Sequence, residues 1–207
     1  MRFVLVHGWG FHAGIFADFI SDLEGAEVTL VDLGFVAGGP KAASEWPAEA
    51  IAVGHSLGLL WLLERGGGRF RALVSVQGFD CFYCHVAPSR LAALKRGLER
   101  DPGETLQAFW RSCGASGFAL PDALNVARLD EGLDWLMTWD ARKARQDLAC
   151  PVLALAARDD VIVPPSMSET IWGKSIIWSP DGGHVLPLKH PNWCARHVLE
   201  FAHALPS

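Results

Sequence analysis

An excess of positive charge is missing from this sequence: 18 lysines and arginines face 23 aspartates and glutamates, a net charge of −5 over 207 residues. Without a basic field there is nothing to gather a phosphate backbone, so nucleic acid is not an expected partner. Long apolar runs are lacking too. The first, Phe3-Val4-Leu5-Val6, gives way at once to His7-Gly8, too soon for a signal peptide. No later run approaches the roughly 20 residues of a membrane span. A cytoplasmic protein without membrane attachment is expected. Cysteine is scarce and odd in number, at positions 81, 84, 113, 150 and 194, which fits thiols in a reducing compartment better than a disulfide framework. Cys81-Phe82-Tyr83-Cys84-His85 has the spacing of c-type haem attachment, but that chemistry belongs to exported proteins. No second Cys/His pair has metal-ligand spacing, so neither metal nor organic cofactor is expected. Repeats, low-complexity tracts and long linkers are also wanting.

What is present suits a packed core. Half of the residues are apolar and a fifth are charged, the balance of one compact domain with room for an insertion. Short apolar, β-branched runs at Phe3–Val6, Val28–Val31, Ile51–Val53, Ala72–Val76, Val152–Ala156 and Ser175–Trp178 read as strands. Helical patterns at Ile15–Leu23, Leu57–Glu64, Met167–Trp172 and Trp193–Ala204 alternate with them. Unbroken apolar strands between helices imply a mostly parallel sheet covered on both faces, the doubly wound α/β class, with functional groups at the carboxyl ends of the strands. One segment departs from the alternation. From Asp80 to Leu148 only helical pieces occur, at Ser89–Arg100, Gly103–Ser112, Pro121–Arg128 and Glu131–Thr138. The expected organisation is therefore a core made of residues 1–79 and 149–207, with residues 80–148 inserted as a helical cap.

At the junction of a strand pattern and a helix pattern lies Gly54-His55-Ser56-Leu57-Gly58. This G-x-S-x-G resembles the nucleophile elbow of the α/β-hydrolases, a strained turn that lifts a serine hydroxyl above the sheet. Such a serine needs a base and an acid to orient that base, which follow in this superfamily in the order Ser, Asp or Glu, His. After the last strand pattern, Ser179-Pro180-Asp181-Gly182-Gly183-His184 is a glycine-rich loop ending in the base candidate His184. His190, before Pro191, is the runner-up; His197 and His203 fall inside the terminal helix. Val152–Ala156 leads to Asp159-Asp160-Val161-Ile162-Val163-Pro164. The superfamily pattern G-x-x-D-x-x-V-P places the acid at Asp160, leaving Asp159 as a solvated or turn-forming neighbour. Backbone N–H groups of Leu57 and of Trp9, in His7-Gly8-Trp9-Gly10, fall where the oxyanion donors of this fold lie.

The His7-Gly8-Trp9-Gly10 loop, Leu73-Val74-Ser75-Val76 with Cys81-Phe82, Gly132-Leu133-Asp134-Trp135-Leu136-Met137-Thr138-Trp139-Asp140, and His190-Pro191 with Cys194 together resemble the pimeloyl-acyl-carrier-protein methyl ester esterases of biotin synthesis. The resemblance spans nearly the whole chain. It implies a serine carboxylesterase that removes a methyl ester from a pimeloyl chain on its carrier protein and also cleaves short-chain esters. A broad carboxylesterase or thioesterase is the alternative within enzymes, and a non-catalytic binding protein of the same fold is the alternative outside them. Two features depart from the pattern: the chain begins at the first core strand, and only Gly34 to Glu49 connect the second strand to the elbow strand. That crossover, with Gly38-Gly39-Pro40 and Pro47, is too short for a full helix, so a reduced fold with an apolar surface needing cover is expected.

Substrate contacts are expected from Trp9, Phe109, Trp135 and Trp139; the last two are four apart and share a helix face, with Trp110 and Phe118 adding aromatic area. Arg90, Lys95, Arg96 and Arg100 give the first cap helix a local net charge of +3. Through the family resemblance they become a docking face for an acidic carrier protein.

Overall fold

The structure, a computed structural model, describes residues 1–23, 25–36, 47, 49–66, 70–118 and 123–206. Six parallel strands form one sheet: β1 (Arg2–Val6), β2 (Glu27–Val31), β3 (Ile51–His55), β4 (Ala72–Val76), β5 (Val152–Ala157) and β6 (Ile176–Ser179). Their spatial order is β2-β1-β3-β4-β5-β6. Every residue of β3 and β4 is buried, which is why these strands read as continuous apolar runs rather than as alternation.

The helices are α1 (Ala17–Ser21), α2 (Leu57–Arg65), α3 (Pro88–Arg100), α4 (Pro102–Cys113), α5 (Val126–Thr138), α6 (Arg142–Gln146), α7 (Pro165–Trp172), α8 (Leu186–Lys189) and α9 (Pro191–His203). Four of them, α3 to α6, lie between β4 and β5. Prolines begin α3, α4, α7 and α9, where the missing N–H has no helical partner to lose. Asp101 and Asn125 cap α4 and α5 through side-chain oxygens. The helical pieces expected at Pro121–Arg128 and Glu131–Thr138 form one helix, α5, which begins only at Val126: residues 123–125 are not helical, Asn125 being the cap, and residues 121 and 122 lie outside the described residues; α6 was not anticipated. No helix among the described residues is long and apolar enough to cross a membrane.

The strand order changes direction beside β1, since β2 lies on one side of it and β3 on the other. Val6 pairs with Gly54, so the loops leaving β1 and β3 emerge side by side. That is the crevice where ligands bind in open parallel sheets. The short crossover expected between β2 and β3 falls largely outside the described residues, and so does the apolar surface argued from it.

The expectation for Cys81 and Cys84 as thiols is corrected: the two are joined in a disulfide, whereas Cys113, Cys150 and Cys194 are free. Three residues of separation bring the α-carbons within 5.6 Å, inside bridging range, and spacing alone does not distinguish such a pair from two free thiols. An Asp140 oxygen lies near both sulfurs, yet a disulfide offers no thiolate to a metal and Asp140 bonds Arg142 through both oxygens.

Candidate active site

Ser56 sits directly after β3 with φ 54° and ψ −123°, a conformation sparsely populated by residues with side chains. The two glycines around it are required by contact. A β-carbon on Gly54 would lie 2.5 Å from the Leu59 α-carbon, and one on Gly58 would lie 2.1 Å from the Val6 carbonyl oxygen. The turn is tied to the sheet by the Ser56 N–H, which donates to Val76 O at 3.0 Å.

His184 Nε2 lies 2.8 Å from Ser56 Oγ, and His184 Nδ1 lies 2.8 Å from Asp160 Oδ2. A carboxylate only accepts, so the ring proton belongs on Nδ1 and Nε2 faces the serine hydroxyl as an acceptor. All three side chains are buried. The second Asp160 oxygen accepts from the N–H groups of Ile162 and Val163 at 2.8 and 2.9 Å. These bonds hold the side chain as an acceptor, with the donors coming from the two middle residues of the Val161-Ile162-Val163-Pro164 continuation. The structure therefore brings together Ser56, Asp160 and His184. His190 instead pairs with Asp181 at 2.6 Å, and His197 with Glu200 at 3.4 Å.

Two helices of the inserted segment lock the surrounding loops. Trp9 Nε1 donates to Leu129 O at 2.8 Å, and Trp110 Nε1 donates to Gly10 O at 3.1 Å. A β-carbon on Gly132 would meet Trp9 Cδ1 at 2.7 Å, which gives the glycine of the Gly132-Leu133 phrase its physical reason. Behind the loop, His7 Nε2 accepts from the Leu33 N–H at 2.9 Å, so its proton lies on Nδ1, facing Gly8 O. His184 is held in turn by its N–H on Cys113 O, at the end of α4. The N–H of Leu57, at the first turn of α2, has no intrahelical acceptor, and it adjoins Ser56.

His55 is wholly buried between these parts, its Nε2 2.9 Å from His184 O. A carbonyl accepts, so the neutral ring donates through Nε2. Burial first, then the neighbouring His184, pushes its pKa down to about 3, which keeps the ring uncharged over the working range.

An apolar cavity of about 520 Å³ reaches Ser56. Trp9, Phe79, Phe82, Leu91, Phe109 and Leu136 are among its walls, with Ala93, Gly97 and Ala108 contributing little bulk. Arg90, Arg100 and Glu104, all exposed, also line it. Trp9 and Phe109 thus face the space as expected. Trp135 and Trp139 are not among its lining residues, and they do not share a helix face as expected: Trp135 lies on α5, whereas Trp139 follows its end in extended backbone. The two rings stack at 4.7 Å, Trp135 also meets Phe35 and the Arg128 guanidinium, and Trp139 meets Arg65. Leu136, one residue along α5, points to the cavity instead. Lys95 also departs from expectation. It forms ion pairs with Asp130 at 2.9 Å and Asp134 at 2.8 Å, joining α3 to α5. Burial disfavours its charge, but the hydrogen bonds and the charge attraction of the two aspartates together raise its pKa. Arg96 is exposed.

Sequence reasoning missed two contributors. Asp159 Oδ1 accepts from the Gly183 N–H at 2.9 Å, steadying the loop that carries His184. Gln77, beyond β4, bonds both Asp160 and that loop. The sequence holds no signal for either, since each is an ordinary polar residue in a loop.

This sheet, with its elbow, crevice and helices on both faces, is the α/β-hydrolase fold. It superposes on an esterase from Exiguobacterium antarcticum with a TM-score of 0.81, at 16% identity over 99% of this chain and 92% of the other. An esterase from Thermogutta terrifontis gives 0.78 at 16% identity over 100% and 91%, and a bromoperoxidase from Bacillus anthracis gives 0.77 at 17% over 98% and 91%. In sequence, the chain is similar to the pimeloyl-[acyl-carrier protein] methyl ester esterase of Yersinia enterocolitica, 28% identical over 96% of this chain and 92% of the relative. The enzyme of that name from Xylella fastidiosa is 27% identical over 98% and 95%. No family model matches the chain.

Proposed function

We propose that the protein is a serine carboxylesterase acting on a methyl ester at the end of an acyl chain delivered by an acyl carrier protein, with the pimeloyl ester as the specific substrate. One observation carries the reading: a serine hydroxyl in line with a histidine and a buried aspartate, opening on an apolar cavity that has two arginines on its lining. Similarity to the Yersinia and Xylella enzymes supports the choice of substrate.

Ser56 Oγ attacks the ester carbonyl carbon as its proton passes to His184 Nε2. The carbonyl oxygen becomes an oxyanion held by the N–H groups of Trp9 and Leu57. Asp160 keeps the resulting imidazolium oriented and compensated without taking its proton. Collapse breaks the bond to the methoxy oxygen, which leaves as methanol with the proton from His184. Water, deprotonated by His184, then attacks the acyl-serine and releases the free acid and Ser56. No step requires a metal or an organic cofactor. The helical segment 80–148 acts as a cap that supplies the acyl cavity, and the exposed Arg90, Arg96 and Arg100 steer an acidic carrier, with Lys95 bracing the helix behind them.

The test compares pimeloyl-carrier-protein methyl ester with a small aryl ester, using native protein and an Arg96→Glu, Arg100→Glu variant. Selective loss on the carrier substrate, larger at low salt, is expected because steering between exposed charges is screened by ions. Equal rates on both substrates in both proteins would leave a general carboxylesterase. Failure of native protein to react with a fluorophosphonate at Ser56 would favour a binding protein that only shares the fold.

A further inference from the structure

Gln77 stands where the chain leaves β4 beside the elbow, buried to 2% exposure. Its φ of 53° lies in the left-handed region, which a residue with a side chain adopts only where its surroundings impose it. Those surroundings are well defined. The Gln77 N–H donates to Leu155 O at 2.8 Å, while the carbonyl just before it, Val76 O, accepts from the Ser56 N–H. The next residue, Gly78, has no room for a β-carbon, which would lie 2.6 Å from Leu59 Cβ.

The strained backbone aims the amide at the site. Gln77 Nε2 donates to Asp160 Oδ2 at 2.8 Å, the same oxygen that receives His184 Nδ1–H. Its second amide hydrogen is directed at Gly183 O, immediately before His184. Gln77 Oε1 accepts from the Leu186 N–H at 2.9 Å, two residues after His184. One side chain thus grips the acid and both flanks of the base, using each of its donors and its acceptor. Only an uncharged amide does this: Glu lacks the donors, and Asn is one methylene too short for the same reach.

We propose that Gln77 is a positioning residue of the reaction, one that fixes the Asp160 carboxylate and the His184 loop to each other and to the strand beneath Ser56. This rests on the esterase reading of the site. Gln77 touches no reacting atom, so its effect passes through the alignment of Asp160 with His184.

The experiment measures ester hydrolysis and fluorophosphonate labelling by Gln77→Leu and Gln77→Glu proteins, each alone and combined with Asp160→Ala. Leu keeps the unbranched start of the side chain and removes all three bonds. Glu keeps the shape and the acceptor, so its kinetics decide the matter even where Leu impairs folding. Both variants are expected to lose roughly 10- to 100-fold in kcat, with KM within about twofold, because an interaction that serves the transition state alone is lost. In the Asp160→Ala background either change is expected to cost less than about threefold, since residues acting as a unit are not additive. Native kcat in both variants, or the full loss repeated in the Asp160→Ala background, would overturn the proposal. Native protein that labels at Ser56 while the Gln77 variants behave normally refutes this role alone. Native protein that neither labels nor hydrolyses esters refutes the reading on which it stands.

Discussion

The loops at the carboxyl ends of the strands and the helical segment between β4 and β5 divide the site into two unlike parts. In the first, placement is dictated by backbone. Ser56 is held by a turn that tolerates no side chain at Gly54 or Gly58, and Asp160 by two N–H groups of its own loop. In the second, placement is dictated by side-chain packing. Cavity walls such as Leu91, Phe109 and Leu136 come from three different helices whose relative positions rest on contacts such as Trp110 to Gly10 O and Lys95 to Asp130. In the proposed reading this difference separates reaction from specificity, the strand loops carrying the chemistry and the helices selecting the acyl chain.

Breaking the first part should have the largest effect. Ser56→Ala or His184→Ala is expected to reduce kcat for any ester by about 10⁶-fold, as in other serine triads, with thermal unfolding little changed. Residual activity within a hundredfold of native would refute the assignment.

An intermediate effect is expected where the helical segment is braced. Trp135→Ala removes a buried ring stacked on Trp139 and covered by Arg128, and should cost about 3–5 kcal/mol in chemical denaturation. Because Trp135 faces away from the cavity, relative rates across acyl chain lengths should hold steady. A changed chain-length preference at native stability would place Trp135 in the substrate path after all.

The mildest change sharpens the comparison most. Ala108→Leu puts bulk into the cavity from α4 and leaves Ser56 and His184 unaltered. Hydrolysis of a long-chain ester should fall roughly tenfold relative to an acetate ester, the scale of one or two methylenes in an apolar pocket. Parallel loss on both esters would mean that the cavity is not the acyl site.

The central strands were legible because residues buried on both faces leave an unbroken apolar run, and the half-buried edge strands β2 and β6 because theirs are short and rich in valine and isoleucine. Five of the six expected strands match within two residues at each end, and the sixth, Ser175–Trp178, is shifted by one. Ser56, Asp160 and His184 were legible because each is announced by its own loop: two glycines, a Val-Pro continuation and a Gly-Gly pair. The placement of Trp135 and Trp139 was not. Spacing by four puts two side chains on one face only while the helix continues, and α5 ends at Thr138; which neighbours the two rings meet depends on how the segment packs.

What the sequence by itself determined is therefore the parallel α/β core and the three loops that carry a serine, an aspartate and a histidine to the carboxyl ends of the strands. Those are local properties, set by periodicity and by glycines where the backbone must pass close or turn sharply. Tertiary structure alone decided that Gln77 reaches across 83 positions to Asp160, that Asp159 holds the His184 loop, that Lys95 is spent on α5, and that Cys81 meets Cys84. A hydrogen bond or ion pair between distant residues leaves no periodic trace in the chain. It exists only once the hydrophobic core has fixed both ends within about 3 Å of each other.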